Sequence, residues 1–166
     1  MDLIRQLRSE LRRSLHGPAW HGPALLEVLA DVTPAEACAH PVPGAHSIAE
    51  LALHALAWIE EVTRRLQGAV AALPERGDWP LPPPDLQDPG WRSIHEELSR
   101  GAERLERTVG GFPPERLLEQ VAGSDAQLGG GIRHVVMLHG LAQHNAYHGG
   151  QIALLKRALR ERSPTA

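Results

Sequence analysis

Apolar residues recur every three or four positions in four long stretches of the chain, which is the spacing of an amphipathic helix. These stretches cover residues 2–15, 47 to about 67–70, 88–109 and 132–160. No stretch shows the alternation of apolar and polar residues that is typical of a β-strand. The pattern predicts an all-α fold, most simply a four-helix bundle that forms a single domain over residues 1–166.

Helix breakers and capping residues indicate where these helices begin and end. Two Gly-Pro pairs in residues 17–23 predict that the first helix is kinked or broken there. Capping boxes at 33–36 and 47–50 predict the start of a short helix and of the second long helix. Asp88 is expected to be the N-cap of the third long helix, with Pro89 as its first residue.

A proline-rich segment separates the second long helix from the third. Residues 73–89 contain six prolines and show no helical period. We expect a long loop that extends away from the compact body of the bundle. A helical turn at 113–119 and a glycine-rich loop at 122–131 are expected before the last helix.

Composition and charge exclude several classes of function. The chain has 166 residues, a formal net charge of −3 and one cysteine. Since there is no basic block, nucleic acid is not an expected partner. One cysteine cannot form an internal disulfide and no secretory signal opens the chain, so we expect a cytoplasmic protein. Residues 134–155 carry no Asp, Glu, Lys or Arg, but their four histidines, two glutamines and one asparagine are too polar for lipid.

Three of the ten histidines form a candidate metal site. His144 and His148 are four residues apart in the last helix, so they lie about 40° apart on its surface, within the apolar stripe. Two buried neutral imidazoles are hard to satisfy with protein groups alone, whereas a divalent metal ion accepts both lone pairs. His54 lies in an otherwise apolar run of the second long helix and is the best candidate for a third ligand.

Four further residues lie where they could support this site. Glu50 precedes the histidine of the second long helix by one turn and could accept its second N–H. Gln151 follows the later histidine of the pair by three residues and could orient a ligand or a water molecule. Tyr147 lies beside the pair and could donate a hydrogen bond to a substrate. His21 flanks the break in the first helix and could line the mouth of a pocket.

The other histidines are expected outside the site. His139 lies on the opposite side of the last helix from His148, and His134 is about 15 Å along the axis from His144 by helical rise. His16 flanks the break in the first helix. We expect three others to be loop or surface residues: His40, His46 and His95. An HxxxH pair often occurs by chance, so histidines that only pack or form hydrogen bonds stay an open alternative.

Two segments resemble the DinB/YfiT-like superfamily of metal-binding four-helix bundles. The first is residues 43–51, followed by His54, and the second is residues 139–155, which contain the pattern HxxxHxGQI. The resemblance implies a divalent ion, zinc or nickel, held by three histidines. The family's ligand positions fall on His54, His144 and His148. The resemblance also implies a homodimer.

The resemblance implies an enzyme without assigning its catalytic residues. Characterised members of the family include thiol S-transferases, and others have been called hydrolases. We favour a thiol S-transferase in which the metal activates a low-molecular-weight thiol toward an electrophilic substrate. Two alternatives stay open, a hydrolase that uses metal-bound hydroxide and a non-catalytic, metal-stabilised binding module. A purely structural bundle without metal is the remaining alternative.

Overall fold

The computed structural model describes residues 2–162, and all the regular structure in that range is helical. In chain order, the helices are α1 (Leu3–His16), α2 (Leu25–Leu29), α3 (Pro34–Cys38), α4 (Ile48–Leu66), α5 (Asp88–Gly110) and α6 (His134–Arg162), with a 3-10 turn at Pro114–Leu118 before α6. The predicted all-α fold is therefore confirmed. Within the described range, every helix is too short or too polar to cross a bilayer.

The four long helices form a closed ring around one apolar core. Helix α1 contacts α6, α6 contacts α4, α4 contacts α5, and α5 contacts α1. At Gly101 of α5 a Cβ atom would lie 2.9 Å from Cδ1 of Leu56, so the absent side chain lets α4 and α5 pack closely. Each buried leucine contributes about 1.5–3 kcal/mol through removal from water. The largest fully buried side chains include Leu7, Leu11, Leu15, Leu56, Ile59, Leu98, Leu105 and Leu138.

The ends of the helices follow the predicted signals with one exception. The first helix is broken as predicted, since α1 ends before Gly17, whose φ of 74° lies in the left-handed region that favours glycine. The boxes at 33–36 and 47–50 cap α3 and α4. The prediction for α5 is wrong by one residue, because Gln87 is the N-cap and Asp88 lies in the first turn. A carboxylate there still interacts favourably with the helix dipole.

The proline-rich loop does not extend away from the bundle, so that expectation is wrong. Pro74 and Leu86 are buried. Arg76 forms ion pairs with Glu60 of α4 at 2.7 Å and with Glu97 of α5 at 2.8 Å. A segment rich in proline loses little conformational entropy when it is ordered, so a few such contacts are enough to hold it against the helices.

Candidate metal centre

The structure brings together the three histidines that the sequence singled out. His54 of α4 and His148 of α6 are each 5% exposed, and His144 is half-buried between them. The Nε2 atom of His144 lies 2.9 Å from Nε2 of His54 and 3.0 Å from Nε2 of His148. One ring nitrogen from each residue falls within 4.8 Å of the other two. Neighbouring helices thus direct three imidazoles at a common point.

In His54 and His148, the hydrogen-bond partner of the outer ring nitrogen determines which nitrogen carries the hydrogen. His54 donates from Nδ1 to the backbone carbonyl of Asp78 at 2.5 Å. His148 donates from Nδ1 to Oε1 of Gln151 at 2.6 Å, which is the contact predicted for that glutamine. Because a carbonyl oxygen only accepts, each ring carries its hydrogen on Nδ1. Both Nε2 atoms are therefore bare lone pairs that face the centre of the cluster.

Protein groups alone do not satisfy the cluster. Nε2 of His144 can donate one hydrogen to one of its two neighbours, which leaves the other neighbour without a donor. In that tautomer Nδ1 of His144 is a bare acceptor, and this atom is buried without a hydrogen-bond partner among residues 2–162. A cation at the common point would accept all three inner lone pairs at once.

Burial keeps the three imidazoles in the neutral form that binds metal. Desolvation, followed by the charges of His148 and His54, lowers the pKa of His144 to about 3. Desolvation also lowers the pKa of His54 and of His148 below the ordinary value. All three rings are neutral at pH 7, so a metal ion need not displace protons from them.

The spacing of the nitrogens fits a small divalent ion. Nitrogens at about 2.0–2.1 Å from a tetrahedral zinc ion lie roughly 3.3 Å apart. The observed separations of 2.9 and 3.0 Å are a few tenths of an ångström shorter. The imidazole donors also suit nickel and other divalent transition metals. His54, His144 and His148 could therefore hold such an ion, and three protein ligands leave coordination positions for another molecule.

Two residues of the proline-rich loop belong to the site, and the sequence reasoning missed them. The Trp79 ring is stacked on His54 at 3.8 Å between centroids, and His46 is stacked on the other face of Trp79 at 3.6 Å. Asp78 supplies the carbonyl that accepts the hydrogen of His54. One signal was available, because Trp79 is the one aromatic residue in residues 73–89.

The proposed role of Glu50 as acceptor for His54 is wrong. Its carboxylate accepts from the backbone N–H of Ser47 at 2.6 Å and lies 3.2 Å from Nε2 of His40. The capping box engages this side chain at the start of α4, so it does not reach the site. His46 lies in a loop as expected and is half-exposed, with its ring on Trp79.

The remaining candidates lie at the edge of the site or elsewhere. Tyr147 is 64% exposed, and its ring meets that of His148 edge-on at 5.1 Å. His21 lines an open groove of about 780 Å³ between α1 and α6, and the three clustered histidines do not line this groove. His139 pairs with Glu10 on the α1 side at 2.9 Å. His95 is not in a loop, since it lies in α5 with its Nε2 buried.

Comparison with known proteins finds one family. The family model described as the DinB superfamily matches residues 19–152, which include α4, α5 and the three clustered histidines. Neither a curated protein nor a solved structure matches the chain.

Proposed function

The chain belongs to the DinB superfamily, and on that basis we propose that it is a divalent-metal-dependent enzyme, most consistent with a thiol S-transferase. The observation that carries the proposal is the convergence of three neutral Nε2 atoms, two of them on rings whose tautomer is set by Asp78 and Gln151. A zinc or nickel ion bound by these nitrogens would lower the pKa of a coordinated thiol so that it reacts as a thiolate.

The surroundings of the cluster favour a thiol over water as the nucleophile. In residues 2–162, no carboxylate joins the three nitrogens. The Asp78 carboxylate accepts from Nε1 of Trp58 at 2.8 Å, and that of Glu50 is held in the capping box. A hydrolase usually needs a general base close to the metal. A thiol, with an ordinary pKa of about 8.5, needs no such base once it is coordinated.

The transfer would form a carbon–sulfur bond. The sulfur would attack an electrophilic carbon, the bond to a halide or an epoxide oxygen would break, and the leaving group would take the electron pair. The thiol proton would go to solvent, because no carboxylate in residues 2–162 joins the three nitrogens. The edge of the Trp79 indole and the ring of Tyr147, both next to His148, would contact the electrophile.

The test is a rate measurement on the metal-loaded protein. Elemental analysis after purification would first measure bound metal, and about one equivalent per chain is expected. Zinc- or nickel-loaded protein would then be mixed with glutathione, bacillithiol or mycothiol and with a chlorinated aromatic compound or an epoxide. We expect a rate above the uncatalysed one that disappears in His148→Ala and persists in His139→Ala, a matched change on the other side of α6.

Each failure identifies a different error. A metal content far below one equivalent, from cells grown in metal-replete medium, would overturn the metal site. Stoichiometric metal without a rate for any thiol would overturn the transferase and favour a binding module. A metal-dependent rate on simple esters instead of thiols would favour a hydrolase.

The proposal includes two features that come from the sequence and the family resemblance. These are a homodimer and a cytoplasmic location, the latter based on the single cysteine. Light scattering coupled to size exclusion would test the first, and a mass near 18.1 kDa at micromolar concentration would contradict it.

A further inference from the structure

The Asp78-Trp79 segment of the proline-rich loop contacts His54 in three ways. The backbone carbonyl of Asp78 accepts the hydrogen on Nδ1 at 2.5 Å. The carboxylate of Asp78 lies 3.4 Å from the same nitrogen. The indole of Trp79 covers one face of the imidazole, with the two rings 9° from parallel. The ring of His54 is thus held both at its outer nitrogen and on one face.

Helix α4 itself holds this segment in place. Trp58 lies one helical turn after His54, and its Nε1 donates to Oδ1 of Asp78 at 2.8 Å. Residues 54 and 58 of one helix therefore both bond to the same loop residue, His54 to its backbone oxygen and Trp58 to its side chain. On the outer side, His46 packs on the exposed face of Trp79.

We propose that Trp58 and Asp78 are positioning residues for His54, acting through the hydrogen bond between them to keep the Asp78 carbonyl on Nδ1 and so direct Nε2 at the metal. This inference rests on the metal site of the proposed function and adds to it the residues that set its affinity. Gln151 performs the corresponding task for His148 with a side chain. For His54, the backbone carbonyl of Asp78, 24 residues further along the chain, accepts the hydrogen of Nδ1.

The hydrogen bond from Nδ1 of His54 to the Asp78 carbonyl is needed because an imidazole can lose its metal-binding geometry in two ways. Without an acceptor at Nδ1, the hydrogen can move to Nε2, which removes the lone pair that faces the metal. Rotation of the ring about the Cβ–Cγ bond would also turn Nε2 away from the metal. The carbonyl opposes the first failure, and the stacked indole of Trp79 opposes the second.

The experiment compares three variants with a matched control. Asp78→Ala removes the acceptor for Trp58, whereas Asp78→Asn retains an oxygen that can accept the same hydrogen bond. Trp58→Phe keeps an aromatic ring but removes the donor. The control is Trp91→Phe, which likewise removes an indole donor from a buried hydrogen bond, the one to the carbonyl of Val32, on a helix that does not supply a histidine to the cluster.

Two measurements are made on every variant. Competition with a chromogenic chelator measures the affinity for zinc. Long-range ¹H–¹⁵N NMR of metal-free, histidine-labelled protein measures which ring nitrogen of His54 carries the hydrogen. We expect Asp78→Ala and Trp58→Phe to bind zinc about 10- to 100-fold more weakly and to shift His54 away from the Nδ1–H form. Asp78→Asn should restore most of both properties, and Trp91→Phe should change neither.

The two proposals can fail separately. If wild-type protein binds neither zinc nor nickel, the proposed function fails, while the NMR measurement still tests the positioning of His54. If wild-type protein binds zinc and both Asp78→Ala and Trp58→Phe bind it equally well with His54 unchanged, positioning is overturned and the metal site stands. An Asp78→Asn variant as weak as Asp78→Ala would also overturn it, because the retained hydrogen bond would then have no effect.

Discussion

Helix α4 carries two buried polar clusters about two turns apart, and only one of them is satisfied by the protein. In the first, Glu61 and Arg65 have side chains 0% and 3% exposed. Arg65 donates from Nε to Oε1 of Glu61 at 2.7 Å and from Nη2 to the carbonyl of Ala72 at 2.9 Å. The backbone N–H of Ala72 donates to Oε1 of Glu61 at 3.3 Å. The opposite charges of Glu61 and Arg65 are paired, and the donors of Arg65 and Ala72 have acceptors within the cluster.

The histidine cluster lacks that complementarity. Its members are three imidazoles whose inner lone pairs face one another. In the part of the chain that the structure describes, Nδ1 of His144 has no hydrogen-bond partner. Trp58 lies between the two clusters, with Asp78 on its Nε1 and the guanidinium of Arg65 5.5 Å from its ring centre. A buried cluster of paired opposite charges serves the fold, whereas a buried cluster of like ligands calls for a partner from outside the chain.

The largest expected effect comes from breaking the satisfied cluster. Arg65→Ala leaves the buried Glu61 carboxylate without its main partner, so the free energy of unfolding should fall by about 3–5 kcal/mol in a urea titration. The control is Arg64→Ala. Arg64 also pairs with Glu61, but its side chain is 36% exposed. The Arg64→Ala substitution should lower the free energy of unfolding by only about 0–1 kcal/mol. Equal losses in the two variants would show that burial does not distinguish them.

Completing the unsatisfied cluster should produce a gain of similar size. Zinc at a free concentration a thousand times its dissociation constant should raise the free energy of unfolding by about 4.1 kcal/mol. His144→Leu should abolish this gain, because it removes the central ligand, while His139→Leu should retain it. Thermal melts with zinc and with a chelator make the measurement. A melting temperature of wild-type protein that neither zinc nor nickel raises would contradict the site.

The metal-free protein should lose stability as the pH falls from 6.5 toward 3. In the folded chain the pKa of His144 is about 3, against an ordinary value of 6.5. Within this window the unfolded chain binds a proton that the folded chain excludes, so the free energy of unfolding decreases as the pH falls. The contribution of one such histidine is at most about 1.4 kcal/mol per pH unit.

Urea titrations at pH 6.5 and pH 5 in the presence of a chelator would measure this dependence. The loss should be smaller in His144→Leu than in wild-type protein, since the other titrating groups are common to both. Identical losses would show that His144 is protonated as easily in the folded chain as in the unfolded one.

The smallest effect is expected at the exposed ion pairs of the loop. Arg76→Ala breaks the bonds to Glu60 and Glu97, and it should cost at most about 1 kcal/mol because water screens these charges. Zinc affinity should fall less than in Asp78→Ala, since the hydrogen bond from Trp58 still holds the segment. A larger loss of zinc affinity than in Asp78→Ala would mean that Arg76, not Trp58, anchors the loop.

Part of the site was accessible from the sequence because helices have a fixed period. Spacing by four placed His144 and His148 on one face, and the apolar run around His54 made that residue the best candidate for the third ligand. The sequence also contained the reason why Glu50 could not serve His54. Its position in a capping box already committed its carboxylate to the N–H of Ser47.

Apolar periodicity, glycine and proline breakers and capping residues determined the helices and which histidines face the interior, because these are local properties that the backbone geometry converts directly into structure. Only the tertiary structure decided that Asp78 and Trp79 complete the site. Their loop has no period, and they lie 24 and 25 residues beyond His54. Contacts over that distance depend on how the loop packs against α4, through the bond to Trp58 and the stack on His54.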